Sequence, residues 1–414
     1  MKILIFGLNY APELIGIGKY SGEMGAWFAE HGHEVRVICA PPYYPEWQVN
    51  KGYQTWAYRV EIIDGIKVFR APLYVPKKPN VLSRLFHLFS FSISSIPLLV
   101  LNLFWKPDLV ITVVPTLFTT PGALLFSKFS GAKSLLHIQD FELNAMQGLG
   151  MGKNGVFSML GFKIESWVLR HFDAVSTISY SMVETAKQKL NGHGRVFYFP
   201  NWVDVDFVKP SIGDNIFREK WGIPSDTKVV IYSGNLGEKQ GLELVLAAAE
   251  RLTEQTNILF LIIGSGAAKD RLIEQARLLK LKNINFYPVQ SYTLLPALMA
   301  LGDVFLVVQK KGVADAVLPS KVTTILSAGK NALITAEKNT ELGVLCAEFP
   351  GIAYRVPPEN LGSFVETLEV MMAKIDVQNR KVNTVARKYA EKFLDKRITL
   401  GQFAGYLDSI VEKS

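Results

Sequence analysis

The residue types best suited to chemistry gather in three segments of the second half of the chain. The loop Ser233-Gly234-Asn235-Leu236-Gly237-Glu238-Lys239-Gln240-Gly241 carries three glycines and a lysine ahead of an apolar helical pattern that starts at Leu242. Glycines let backbone amides approach an anion, and Lys239 adds a point charge suited to a diphosphate. Gly264-Ser265-Gly266 follows an apolar strand, at the strand end where open parallel sheets hold ligands. Ala314-Asp315-Ala316-Val317-Leu318-Pro319-Ser320-Lys321 leads into a helix that runs to Ser327-Ala328-Gly329. Pro319 suits a place at or just ahead of the first helical residue, and Ser320 suits a cap. Amides at that N-terminus, with Lys321, make a corner for phosphate. The plainer readings are a solvated loop lysine at Lys239 and simple capping at Ser320.

A related opening lies at the start of the chain. KILIFGLNYAPELIGIGKY (2–20) reads as a buried strand, a loop with Gly16-Ile17-Gly18, and a helix from about Tyr20. The apolar start runs straight into the loop, so it is read as a strand and not as a signal segment. The gap after Gly7 is too long for the dinucleotide fingerprint, which opens its helix directly. These glycines serve either a phosphate or a set of tight turns.

The elements that must position these residues alternate. In the first half, apolar runs at 3–6, 35–39, 68–71, 109–114, 134–138, 174–178 and 196–199 read as strands, with helical patterns at 20–31 and 156–170 between them. In the second half, strands are expected at 229–233, 259–263, 284–286, 304–308 and 332–335, and helices at 242–255, 269–279, 320–328 and 361–373. Continuous apolar strands alternating with helices imply parallel sheets covered on both faces. The fold class is α/β, with twin parallel-sheet domains facing each other across a cleft. A short polar connection bracketed by Pro200 and Pro210 marks the boundary.

The 414 residues carry 45 basic and 37 acidic side chains, a net charge of +8. Nucleic acid, an anionic membrane or phosphorylated substrates could match that balance, and no nucleic-acid-binding signature is present. The two cysteines, Cys39 and Cys346, fit a reducing cytoplasm. No histidine–cysteine cluster or dedicated metal triad is visible, so no tightly bound metal or cofactor is expected. HLFSFSISSIPLLVLNLFW (87–105) is apolar for nearly a membrane span. Its serines and Pro97 favour a helix covering the sheet, or one lying in a membrane interface beside Lys77, Lys78 and Arg84, over a helix that crosses.

The order strand–GNLGEKQGL, IIGSG, LPSK, AGK resembles the retaining glycosyltransferases of the GT-B fold, nucleotide-sugar group 4, and NYAPELIGIGKY and PNWVD extend the resemblance over nearly the whole chain. With ADAVLPSKVTTIL, the chain is most similar to the fucosyltransferase family of bacterial colanic acid (exopolysaccharide) biosynthesis. The resemblance implies an acceptor domain at 1–200, joined by a C-terminal helix at about 390–414, and a donor domain at 201–389. It implies a nucleotide sugar, GDP-fucose, as donor and a polyprenyl-diphosphate-linked saccharide as acceptor. It places the protein in the cytoplasm, peripheral on the inner face of the bacterial membrane. Donor-binding residues would be Gly16, Gly18, Gly234, Asn235, Lys239, Gly264, Gly266, Asp315, Pro319, Ser320, Lys321 and Thr324. Asp140, Lys239 and Lys321 would serve catalysis, and Glu13 and Glu142 would bind the acceptor. The chain departs from the family pattern at Asn235, where arginine is common, at Thr324, where a glutamate is common, and at Gln139, where a histidine is common. His137 is read as a packed residue.

The chemistry implied is transfer of a sugar to a hydroxyl through an oxocarbenium-like transition state, with charge developing on the leaving diphosphate. Lysines and helix-end amides would stabilise that charge. Two other readings use the same scaffold: a nucleotide-sugar epimerase, and a non-catalytic nucleotide-sugar binding protein.

Overall fold

The structure is a computed structural model that describes residues 1–77, 80–114, 117–141, 156–211, 215–312 and 319–412. It divides into two compact units, Met1–Pro200 with Leu400–Ser414, and Asn201–Thr399.

The first unit has an eight-stranded sheet, β1 (Lys2–Gly7), β2 (Glu34–Cys39), β3 (Arg59–Ile63), β4 (Ile66–Arg70), β5 (Leu109–Val114), β6 (Lys133–Ile138), β7 (Ala174–Thr177) and β8 (Arg195–Tyr198), in the order β3-β4-β2-β1-β5-β6-β7-β8. All pairs are parallel except β3 with β4. The interior strands are buried along most of their length, as strands covered on both faces are; every residue of β5 (LVITVV) is buried. The order reverses between β1 and β5, which makes that pair's C-terminal end a ligand crevice by topology.

β3 was not expected from the sequence. It is an edge strand whose residues, RVEII, are exposed or half-buried, so it has no apolar run to announce it. It pairs back on β4 through Asp64-Gly65, both with positive φ (50° and 77°), the two-residue turn that matches strand twist.

The second unit has a six-stranded parallel sheet, β9 (Lys228–Asn235), β10 (Ile258–Ser265), β11 (Ile284–Tyr287), β12 (Val304–Val307), β13 (Asn331–Thr335) and β14 (Tyr354–Val356), in the order β11-β10-β9-β12-β13-β14. β14, three residues long, also lacked a sequence signal. Along β9, Val229 and Ile231 enter one apolar cluster while Val230 and Tyr232 enter another, one on each face. Each such side chain contributes about 1.5–3 kcal/mol on burial. Here the order reverses between β9 and β12.

Two expectations need correction. The first helix spans Gly16–Glu30, so Gly16 and Gly18 lie in its opening turn and not in a loop before it. The apolar run at 87–105 belongs to two helices, Val81–Ser94 and Ile96–Leu103, joined through Ser95, which keeps right-handed helical geometry. The last helix, Lys396–Val411, passes from the second unit to the first. Its Phe403 stacks on Phe199 with centroids 3.6 Å apart.

Candidate functional site

In the second unit Gly234, Asn235, Gly264, Gly266 and Lys321 meet at the C-terminal end of β9. β9 and β10 stay paired as far as Gly234 opposite Gly264 and Asn235 opposite Ser265. A Cβ at Gly264 would land on the carbonyl oxygen of Gly234, and one at Gly266 (φ +153°) would strike Leu236 and Asn235. These two glycines therefore let the strand ends close together. Gly234 (φ +147°) has a different neighbour: a Cβ there would lie 3.3 Å from Lys321 Nζ.

Lys321 reaches this point from the helix Ser320–Ser327. Its Nζ donates to Tyr232 Oη at 3.0 Å and sits 4.1 Å from that ring's centroid. Tyr232 Oη in turn donates to Asn235 O at 2.7 Å. Burial pushes the Lys321 ammonium down to about 8, and burial pushes the Tyr232 phenol up. At neutral pH the lysine is a cation beside a neutral phenol. An ammonium has three donors, and among the described residues one is used here, on Tyr232. The remaining donors suit phosphate oxygens.

Ser320 is not the cap. Pro319 holds the N-cap position without a side-chain cap bond, and Ser320 is the exposed first residue of the helix. Thr324 Oγ1 turns back to Ser320 O at 3.5 Å. Lys239 is exposed on the short 3-10 turn Glu238–Gln240, and its carbonyl accepts from Lys310 N at 3.0 Å. Lys310 follows β12, and its side chain lies over Gly241, whose Cβ would come within 2.8 Å of it. Asp315 lies outside the described residues.

Sequence reasoning missed Tyr232 and Lys310. Tyr232 reads as one more apolar strand residue, and its partner Lys321 is 89 residues away. Lys310 is one of two adjacent lysines, Lys310-Lys311, with no motif around it. The reversal of strand order supplies the signal, since it brings the ends of β9 and β12 together.

The first unit uses its residues differently. Glu13 is 4% exposed. Its Oε1 accepts from Tyr43 N and Tyr44 N, each at 3.0 Å, and its Oε2 from Asn9 Nδ2 at 2.9 Å. A Cβ at Gly18 would collide with that carboxylate, one at Gly22 would lie 2.9 Å from Ala11 Cβ, and one at Gly25 would strike Tyr10 Oη. The helix glycines thus let residues 10–13 pack against the helix, and Glu13 ties that loop to 43–44. This network gives Glu13 and Gly18 a packing role, beside which the sequence assignments of Glu13 to an acceptor and of Gly18 to a phosphate stand as proposals. Buried Arg70 closes the same region through Ala40 O at 2.8 Å, Ala11 O and Glu61.

Asp140 is exposed just beyond β6. Gln139 and His137 are buried beneath it. His137 Nδ1 pairs with Ser176 Oγ at 2.9 Å and its Nε2 with Gln139 at 2.8 Å. Burial pushes its pKa down to about 3, so it is neutral. Glu142 lies outside the described residues. Among the described residues no histidine, cysteine and carboxylate group is arranged to hold a metal.

Two family models match the chain: glycosyl transferases group 1 over residues 214–390, and a glycosyl transferase 4-like domain over residues 16–202. A putative colanic acid biosynthesis glycosyl transferase of Escherichia coli (strain K12), WcaI, is 50% identical over 408 residues, covering 97% of this chain and 98% of its own. Among solved structures, sucrose-phosphate synthase from Thermosynechococcus elongatus superposes with a TM-score of 0.76 at 14% identity, covering 100% of both chains. HepE of Anabaena, in complex with UDP, superposes with a TM-score of 0.70 at 14% identity over 99% of this chain and 100% of its own.

Proposed function

The chain belongs to the group 1 glycosyl transferases and has their two-unit GT-B fold, and from that premise we propose that it moves a sugar from a nucleotide sugar to a lipid-linked saccharide in bacterial exopolysaccharide assembly. The name of the Escherichia coli relative supports the pathway. The proposed donor is GDP-fucose, from the sequence resemblance. The observation that carries the donor site is the half-buried Lys321 cation beside Gly234, at the reversal of strand order.

In this reading the bond from the anomeric carbon to the diphosphate breaks, and a bond to the acceptor oxygen forms with retained configuration. The acceptor proton passes to the leaving phosphate oxygen. Lys321 and Lys239 stabilise the charge that develops on the diphosphate. Asp140 remains the carboxylate proposed to meet the acceptor.

A membrane location is supported by the helices at 81–103. One face is buried, through His87, Phe91, Leu98 and Asn102. The other carries Leu82, Phe86, Phe89, Ile93, Leu101 and Phe104, all more than 50% or, for Phe89, 50% exposed. Their spacing makes a continuous apolar stripe. The segment Leu82–Leu103 is long and apolar enough to cross a bilayer, yet its other face is tied to the sheet, with Asn102 accepting from Arg36 at 3.2 Å. A helix lying in the interface satisfies both faces. The residues from 71 to 139 hold Lys77, Lys78, Arg84, Lys106, Lys128 and Lys133 against one acid, Asp108. That balance favours an anionic bilayer as the occupant.

The donor is tested by melting the protein with a panel of nucleotide sugars. GDP-fucose is expected to raise the midpoint most. No response to any GDP- or UDP-sugar would remove the donor assignment. An altered free nucleotide sugar in the same mixtures would instead indicate an epimerase.

A further inference from the structure

The second unit holds a cationic cavity at the edge of the sheet opposite the donor residues. Arg218, Lys330, Arg380 and Lys381 line it, together with Asn215 and Gly329, and it encloses about 180 Å³. Asp303 and Lys330 immediately precede β12 and β13, so the cavity lies at the strands' N-terminal end. Gly234 is at the C-terminal end of β9, about 20 Å away along the strand.

The charges are unbalanced. Buried Asp303 accepts from Val229 N at 2.8 Å and from Arg380 Nε at 2.6 Å, and lies 3.9 Å from Arg218. Both its oxygens are engaged, and Asp226 acts as a second carboxylate on Arg218. Lys330 Nζ donates to Ala300 O at 3.3 Å. Burial pushes the Lys330 ammonium down to about 8; Asp303 opposes this, while Arg380 and Arg218 add to it. One terminal nitrogen of Arg380, NH2, is buried without a hydrogen-bond partner. An orphaned charged donor is costly unless an acceptor reaches it. Each polar group in such a place calls for a partner, and the cavity is large enough for several heavy atoms.

We propose that this cavity is a second ligand site, which binds a small multiply charged oxyanion, phosphate or diphosphate, between Arg380, Lys330, Arg218 and Lys381. Such an anion supplies acceptors to the lining cations and offsets their mutual repulsion. It would also order residues 374–383, which carry Arg380 and lead into the helix Thr384–Phe393. Arg387 of that helix donates to Ser327 O at 2.7 Å, at the end of the helix that bears Lys321.

The test is a calorimetric and thermal-melting titration of the full chain with sodium phosphate and sodium diphosphate, against sodium chloride at equal ionic strength. The expected result is saturable binding that Lys330→Met and Arg380→Gln each weaken tenfold or more, and that Lys51→Ala, at an exposed lysine of the first unit, leaves unchanged. Should Arg380→Gln fail to give a cooperative melt, Lys330→Met and Lys381→Ala carry the comparison. Absence of saturable binding overturns the proposal, as does binding that Lys330→Met and Lys51→Ala affect alike.

Discussion

Lys321 Nζ stands 3.0 Å from Tyr232 Oη and beside the open face of Gly234, so one glycine, one phenol and one lysine from two distant segments share a corner. Replacing Lys321 with methionine keeps most of its volume and removes the charge. Transfer is expected to fall at least tenfold, on the scale of about 1.5–3 kcal/mol for a charged hydrogen bond. Steady-state kinetics with varied donor checks this, and unchanged kcat/KM would exclude the phosphate role.

The same lysine predicts a pH dependence. Its folded value of about 8 lies below the ordinary value near 10.4. Between these values the unfolded chain binds more protons, so this group makes stability rise with pH across that window. Nucleoside diphosphate affinity runs the opposite way and falls as pH rises through about 8. Calorimetry should show that fall in the parent protein and a weaker, flatter profile in Lys321→Met.

Two neighbouring glycines separate stability from binding. Gly264→Ala puts a methyl group against the backbone carbonyl of Gly234, which cannot swing away. A loss of about 1–3 kcal/mol in urea unfolding is expected. Gly234→Ala meets the end of a lysine side chain instead, so its main effect should be on donor KM, with a smaller loss of stability from its strained φ of +147°.

Glu13 is predicted to act on the fold. Glu13→Ala leaves a buried and a partly buried amide without an acceptor and should destabilise by about 2 kcal/mol. Burial raises the Glu13 pKa above the ordinary range. The folded state then holds its proton to higher pH than the unfolded chain, so this group makes stability fall as pH rises between the two values. That component should vanish in Glu13→Gln. A selective loss of acceptor affinity in Glu13→Gln, with the melt unchanged, would support the acceptor assignment instead.

The outward stripe predicts a separable membrane function. Phe86, Phe89 and Phe104 changed together to serine should leave the melting temperature within a few degrees. Flotation with vesicles containing anionic lipid should drop severalfold. Equal flotation of parent and variant would show that the stripe does not meet the bilayer.

The sheets were legible because β1, β5, β9 and β10 are buried on both faces, which writes them as unbroken apolar runs. β3 and β14 were not, one being an exposed edge and the other three residues long. The donor glycines were legible as a cluster, but Tyr232 as the partner of Lys321 was not, because nothing local links residues so far apart. Glu13, between Pro12 and Leu14, reads as a loop carboxylate. Its burial depends on two amides 30 and 31 residues further on. Gly18, Gly22 and Gly25 look like weak points in a helix until the loop they accommodate is seen.

The most direct measurement is transfer itself: labelled GDP-fucose with a polyprenyl-diphosphate-linked glucose acceptor, the product resolved by chromatography and its anomeric configuration read by NMR. The account predicts a labelled lipid-linked saccharide with retained configuration, formed by the parent protein and at least tenfold more slowly by Lys321→Met. Donor binding with no transferred label to this or any other lipid-linked saccharide, or equal rates in the two proteins, would contradict it.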